Sequence, residues 1–533
     1  MGFVESTADV VRARRHGLGE LLHRSARRYP DKAAVIDGEV RFTFAEFDAV
    51  VDRIAGALTA RGLGKGDRLA LLARNCWEFG ALAFATARLG VVLVPVNFAL
   101  TAREVAYILA DAQIRALVTQ EPLRQTAAAA LREAGLAGCV RAVIGGAPAT
   151  SDWEPFAAWT IAAIEPIDIE VADDDPIRLM YTSGTESRPK GVINTARGLI
   201  TQYVSCLVDG EMSASDIEIH SLPMYHCAQL DCFFGVDVYL GATSVILPAP
   251  TPAQVLGAIE KHRATKLFAP PTVWIDLLAA PEFATTDLSS LRKGYYGASP
   301  MPVEILRDLR RELPGVRLWN FYGQTELSPM ATILRPEEQE SRAGSAGRPA
   351  LNVETRVVDE DGNAVPPGEI GEIVHRTPHA CLGYFNKPDK TAEAFRDGWF
   401  HSGDLGILDT AGYLSVVDRK KDMIKTGGEN VASREVEEAI YEIDGVAEAA
   451  VFGVPHPKWI ESVVAAVVMK PGQPVDRRAF DAHLAVRLAG YKRPKYVVFV
   501  DELPKNPSGK IIKRQLRQTY AGLAAQADES KRK

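Results

Sequence analysis

Cysteine is scarce in this chain: Cys76, Cys139, Cys206, Cys227, Cys232 and Cys381 are the six among 533 residues, and no CxxC pair or other metal-ligand spacing joins them. They read as reduced, small apolar residues of a cytosolic protein. Long apolar runs are missing too. The most apolar stretch, 80–96, is broken by Arg88, Gly90 and Pro95, too short and too punctuated to span a bilayer. Arg12, Arg14, Arg15 and Glu20 stand where a signal peptide needs an unbroken apolar core. Charge of one sign is not in excess: 61 basic against 68 acidic side chains leave a net −7, which argues against a nucleic-acid partner or a polybasic membrane reader. No internal repeat, low-complexity segment or Ser-His-Asp arrangement stands out. What remains is a chain of average composition, too long for one ordinary core, for which two or more domains are expected.

Helical and strand patterns alternate from residue 40. Thr43 and Glu46 form a capping box before a helix with apolar Phe47, Val50, Val51, Ile54 and Leu58. Arg68 to Leu72 reads as a strand, Glu78 to Leu89 as a helix, and Val91 to Val94 as a buried strand. Thr101 and Glu104 repeat the capping box, and Ala116 to Thr119 is the next strand. The pattern recurs at Ser244 to Leu247, Pro252 to His262 and Lys266 to Ala269. Strands separated by helices in this way indicate parallel sheets with covered faces. Beyond residue 350 short strands divided by Gly, Asp and Pro turns suggest a small β-rich subdomain. After the charged run Asp418-Arg419-Lys420-Lys421-Asp422 a compact α+β stretch follows. The expected division is 1–418 and 419–533.

The segment Tyr181-Thr-Ser-Gly-Thr-Glu-Ser-Arg-Pro-Lys-Gly-Val192 follows an apolar strand, Ile177 to Met180. Its small hydroxyl residues and glycine let backbone amides close around phosphate oxygens, and Lys190 adds positive charge. It is not a Walker A loop, because Pro189 occupies the place of the glycine before the lysine. Further along come Tyr296-Gly297-Ala298-Ser299-Pro300, Tyr322-Gly323-Gln324-Thr325-Glu326, Ser402-Gly403-Asp404, the 418–422 run, Gly427-Gly428-Glu429-Asn430 and Pro507-Ser508-Gly509-Lys510. Taken singly, an Asp beside Gly is a turn residue and a lone Lys a solvated one.

Together and in this order, the segments resemble the signatures of the adenylate-forming (AMP-binding) superfamily: acyl-CoA synthetases, peptide-synthetase adenylation domains and luciferases. The resemblance covers nearly the whole chain. It implies an α/β fold: a large N-terminal domain of two αβαβα-type subdomains plus a small β-rich subdomain, and a small mobile α+β C-terminal domain. It also implies roles. Thr182, Ser183, Gly184, Thr185 and Lys190 would hold the phosphates of ATP; Gly297, Ala298, Ser299, Tyr322, Gly323 and Gln324 would surround adenine; Asp404 and Arg419 would hold the ribose. Thr325 would reach the α-phosphate, and Glu326 would bind Mg²⁺, a hard cation that prefers oxygen. Lys510 would neutralise charge at the carboxylate and α-phosphate. The C-terminal domain would turn about Lys421, withdrawing Lys510 and bringing Gly427 and Gly428 to the site for thioester formation with CoA. His226 would shape the junction of the acyl and nucleotide pockets. No side-chain nucleophile is needed, because the substrate carboxylate attacks in line and catalysis rests on positioning and charge.

One departure is Glu186-Ser187, where most relatives have Thr-Gly. A carboxylate in a phosphate loop is repelled by triphosphate unless it points away or shares the metal. The acyl pocket is expected around Ala228, Gln229, Cys232, Tyr295 and Phe321. Gly323, where acetate-specific relatives look to have Trp, favours an acid larger than acetate. Medium- or long-chain fatty acids and aryl-propenoic acids stay open, and Asp231 keeps an amino acid in view. The reading is a cytoplasmic ATP-dependent acid–thiol ligase with a small carboxylic acid, ATP and CoA as partners; a homodimer is left open. Transfer to a carrier-protein thiol or an amine, a nucleotide-binding protein without catalysis, and luciferase-type oxidation are the alternatives.

Overall fold

The reciprocal capping expected at Thr43 is present: the Glu46 amide donates to Thr43 Oγ1 (3.2 Å) and the Thr43 amide to Glu46 Oε2 (2.8 Å). It starts the helix Phe44–Ala60, which leads into the first parallel sheet. The computed structural model describes residues 7–146, 152–163, 169–182, 188–248, 250–299, 301–427, 429–457, 459–473, 476–507 and 509–523. Ser183, Gly184, Thr185, Glu186, Ser187 and Gly428 therefore lie outside the described residues.

Among the described residues, one seven-stranded sheet runs Glu154–Pro155, Val140–Ile144, Ala116–Gln120, Arg68–Leu72, Val92–Val96, Pro176–Thr182, Lys190–Thr195. All neighbours are parallel except the last pair. Arg68–Leu72, the first of these strands along the chain, sits between the two that follow it, Val92–Val96 and Ala116–Gln120, so the winding reverses there. Such a reversal leaves a crevice at the carboxyl ends of the strands. A nine-stranded sheet of the same kind follows, with Ile217–His220 between Thr243–Ile246 and Lys266–Phe268, then Lys293–Gly297 and Arg317–Gly323. Val92–Val96, buried along its whole length, is a continuous apolar run, as a covered parallel sheet favours. One apolar core draws Leu71 and Leu93 from the first sheet and Phe268, Tyr295 and Trp319 from the second, with Phe79 and Phe84 of the helix Trp77–Leu89 and Phe234 between them.

The β-rich part is antiparallel, built on Glu354–Val358, Ile370–Arg376, Trp399–Leu408 and Leu414–Arg419. Its last strand runs into the 418–422 segment. Beyond that, the long antiparallel pair Val446–His456 and Ile460–Met469 belongs to a separate sheet, packed on the helices Ser433–Tyr441 and Arg477–Arg487. This C-terminal part is anchored on the rest of the chain: Arg434 donates to the Gly344 carbonyl (2.9 Å), and the Ser433 amide to Asp418 Oδ2 (2.6 Å). Thr272 Oγ1 donates to the Gly509 carbonyl (3.0 Å). A Cβ at Gly509, whose φ is +80°, would stand 2.6 Å from Thr272 Oγ1, so this approach needs glycine. No helix of the described residues is long and apolar enough to cross a membrane.

Candidate active site

The carboxyl ends of Pro176–Thr182, Lys266–Phe268, Lys293–Gly297 and Arg317–Gly323 open onto one cavity of about 690 Å³. Its wall takes Thr182 and Lys190 from the first sheet, and Ala298, Tyr322, Gly323, Gln324, Thr325 and Glu326 from the second. Arg419 comes from the end of the β-rich sheet, Lys420 and Lys421 from the segment just after it, and Lys510 from the C-terminal part. Residues from distant stretches of the chain thus converge.

One end of the cavity is polar. Register places Asp404 opposite Arg419 on paired strands, and the Arg419 Nε lies 2.7 Å from Asp404 Oδ1. The other carboxylate oxygen accepts from the Tyr322 hydroxyl (2.7 Å) and Gln324 Nε2 (2.9 Å). Desolvation and the Asp404 charge raise the Tyr322 phenol well above its ordinary value, so it remains a donor. A carboxylate offers about four lone-pair positions; Asp404, just behind the cavity wall, spends two of them in hydrogen bonds, both on Oδ2, while Oδ1 is ion-paired with Arg419 and accepts no hydrogen bond.

Further in, the Glu326 carboxylate accepts from the Tyr384 hydroxyl (2.8 Å), and the Lys190 ammonium sits 4.1 Å over the Tyr384 ring. Thr325 Oγ1 is 3.3 Å from Cys227 Sγ, and its carbonyl accepts from Asn194 Nδ2 (3.3 Å). Burial pushes the Cys227 thiol up to about 12, so it stays protonated and is no nucleophile at neutral pH. Lys510 enters from the opposite side, its backbone amide held by Asn506 Oδ1 (2.9 Å). Desolvation, then the Arg419 charge, lower its ammonium from the ordinary value. Desolvation and Lys510 bring His226 down to about 4. The imidazole is therefore neutral at pH 7, with Nδ1 accepting from the Ala228 amide (3.2 Å).

The other end is apolar. Residues Ala228–Phe234 form a π-helical stretch, a geometry common at functional sites. Ala228, Cys232 and Phe233 from it, with Phe268, Phe321 and Met330, border the cavity.

Several expected residues sit elsewhere. Tyr295 is buried behind the wall, its hydroxyl donating to the Gly210 carbonyl (2.6 Å) and its ring stacked on Trp319. Gln229 turns its amide to the Leu222 amide and the His220 ring. Neither borders the cavity, because alternation along the strand and the winding of the π-helical stretch point them into the core. Asp231 is likewise buried, 3.8 Å from Arg178 Nε and 3.5 Å from the Tyr203 hydroxyl, and borders no part of the cavity. Gly297 abuts the Phe321 carbonyl, and Ala298 rather than Gly297 or Ser299 reaches the wall. Gly427 pairs its amide with the Trp459 carbonyl (3.0 Å), off the cavity. A Cβ at Gly323 would lie 1.9 Å from the Pro329 carbonyl oxygen. Glycine is required there by backbone packing, so its missing side chain does not by itself lengthen the pocket. Sequence reasoning missed Tyr384, Asn194 and Phe268. Phe268 ends a parallel strand and could have been found by that rule; nothing in the spacing of Tyr384, 58 residues from Glu326, marks it.

The AMP-binding enzyme family model matches residues 22–385, and that of the AMP-binding enzyme C-terminal domain residues 435–510. A feruloyl-CoA synthase from Amycolatopsis sp is 39% identical over 508 residues, spanning 95% of this chain and 100% of the relative. A long-chain-fatty-acid–CoA ligase, FadD13, of Mycobacterium tuberculosis is 35% identical, spanning 95% and 98%. The crystal structure of the anthranilate CoA ligase AuaEII in complex with anthranoyl-AMP superposes with a TM-score of 0.89 at 27% identity, over 96% of this chain and 98% of that one. The chain belongs to the AMP-binding enzyme family.

Proposed function

We infer that this protein is an ATP-dependent acyl-CoA ligase for an apolar carboxylic acid. The observation that carries this reading is the single cavity that holds Lys190, Thr325, Glu326 and Lys510 between a polar end and an aromatic one. The substrate carboxylate oxygen attacks the α-phosphorus of ATP, and pyrophosphate leaves with the electron pair of the broken P–O bond. The acyl-adenylate then meets the CoA thiol, whose sulfur takes the acyl carbon as AMP departs.

In this reading Tyr322, with Gly297, Ala298, Ser299, Gly323 and Gln324, frames adenine. Asp404 and Arg419 hold the ribose, and Thr182, Ser183, Gly184, Thr185 and Lys190 hold the phosphates. Thr325 donates to the α-phosphate. Lys510 neutralises the charge shared by the carboxylate and α-phosphate, where a fixed cation in a low-dielectric site has its largest effect. Glu326 suits Mg²⁺: its carboxylate is a hard oxygen donor held in place by Tyr384, beside the Thr325 hydroxyl. Bound there, the ion would supply charge neutralisation on the phosphates. Neutral His226 neither repels Lys510 nor stores a proton, and it marks the boundary between the two ends. The C-terminal part, residues 419–533, turns about Lys421 between half-reactions and brings Gly427 and Gly428 to the cavity. The free thiols of the cysteines support a cytoplasmic setting.

Purified enzyme supplied with ATP, Mg²⁺, CoA and a panel of acids tests the reading through AMP formation. CoA-dependent turnover on one apolar class is expected. Acid-dependent pyrophosphate release without CoA dependence moves the acceptor to a carrier-protein thiol or an amine. Silence with every acid sinks the ligase.

A further inference from the structure

The apolar end of the cavity is closed by rings. Phe233 lies between Phe268 (centroids 4.3 Å apart, planes at 14°) and Phe321 (5.7 Å, 21°). Tyr295 meets Phe233 and Phe321 edge-on, each at 5.3 Å, and stacks on Trp319 at 5.0 Å. Stacked and edge-to-face rings hold each other in place beyond what their buried area accounts for. The first three border the cavity; Tyr295 and Trp319 form the layer behind it.

Behind the rings lies buried charge. The Lys266 ammonium sits 5.9 Å from the Phe233 ring centre and pairs with Glu218 (2.7 Å) and with Asp237. His220 Nε2 is 3.3 Å from Asp237 Oδ2, and its Nδ1 meets Gln229 Nε2 at 2.7 Å. All four side chains are fully buried and none borders the cavity. An alkyl chain reaching past the ring layer would push Phe233 onto this quartet, whose ions have no water to turn to. Among the described residues, the cavity therefore ends at this ring wall. Ring faces and edges, with the sulfurs of Cys227, Cys232 and Met330 beside them, match a flat aromatic group better than a flexible one.

We propose that this ring wall selects compact aryl carboxylic acids, of the benzoate and aryl-propenoate kind, and excludes long-chain fatty acids. Phe233, Phe268 and Phe321 are the specificity-determining residues. The proposal rests on the acyl-CoA ligase reading and narrows it to one substrate class.

The test compares kcat/KM for cinnamate, benzoate, hexanoate and palmitate in CoA-dependent AMP formation. The aryl acids should exceed palmitate by about a hundredfold, within the range that pocket shape alone can supply. Phe268→Leu and, separately, Phe233→Leu should raise KM for cinnamate roughly fivefold and narrow the gap to palmitate, with KM for ATP unchanged. Palmitate turned over as well as cinnamate overturns the proposal and leaves the ligase intact. Unchanged selectivity in both folded variants, judged by an unaltered KM for ATP, also overturns it. Failure of the ligase itself would appear differently, as no CoA-dependent AMP with any acid.

Discussion

The two ends of the cavity are built on different principles. At the nucleotide end, polar side chains on short strands and turns are tied to one another: Asp404 joins Arg419, Tyr322 and Gln324, and Tyr384 joins Glu326. At the acyl end, rings and sulfurs pack around Phe233, and the rings meet one another by stacking and edge contacts. The first end is specified by directional bonds, which tolerate few residue types at each position. The second is specified by volume and ring orientation, which many combinations can satisfy. A scaffold of this kind can keep its nucleotide chemistry while its acid changes.

Under the proposed function, Lys510→Ala gives the largest effect, because it would remove the charge brought to the reacting carboxylate. Adenylation should fall about a hundredfold to a thousandfold, while thioester formation from supplied acyl-adenylate stays nearly unchanged; equal losses in both half-reactions would mean that Lys510 does not divide its work as described. Asp404→Ala strands two donors and the Arg419 charge at once, and KM for ATP should rise tenfold or more, roughly 1.5–3 kcal/mol per lost charged hydrogen bond. The rise should be the same with every acid, and a shift in the ranking of acids would break the separation between the two ends.

Tyr384→Phe keeps the ring beneath Lys190 and removes only the bond to Glu326. A loss of about tenfold in kcat/KM for ATP, partly recovered at higher Mg²⁺, is expected; recovery would be absent if Tyr384 merely packed.

The smallest effect concerns pH and stability. Burial lowers His226 and His379 to about 4 and His375 to about 3, from an ordinary 6.5. Between about pH 6.5 and 4 the unfolded chain takes up protons that the folded chain refuses, so stability falls as pH falls through that window. Urea midpoints measured across it should decline, and His375→Asn should flatten the decline; an identical slope would remove His375 from the account.

How much of this was legible follows the same division. The capping boxes at Thr43 and Thr101, the strand Arg68–Leu72 and the helix Pro252–His262 were readable because local patterns fixed them. Glu326 and Lys510 were found because ordered motifs named them, and the cavity does bring them together. The acyl wall was legible only in part: Ala228, Cys232 and Phe321 were expected in it and border the cavity. Tyr295 and Gln229 were expected in it and lie behind it, while Phe268 and Tyr384 border the cavity without announcement. Which way a ring points at a strand end depends on its neighbours in space, and one-dimensional spacing does not carry that. Gly323 shows the same limit: its bare Cα suggested a longer pocket, and the Pro329 carbonyl explains it instead.

The most direct measurement is exchange of labelled pyrophosphate into ATP, without CoA, for the wild type and Lys510→Ala. Exchange that depends on an added acid and collapses in the variant is the result this arrangement predicts. Exchange without acid, or exchange untouched by loss of Lys510, would contradict it.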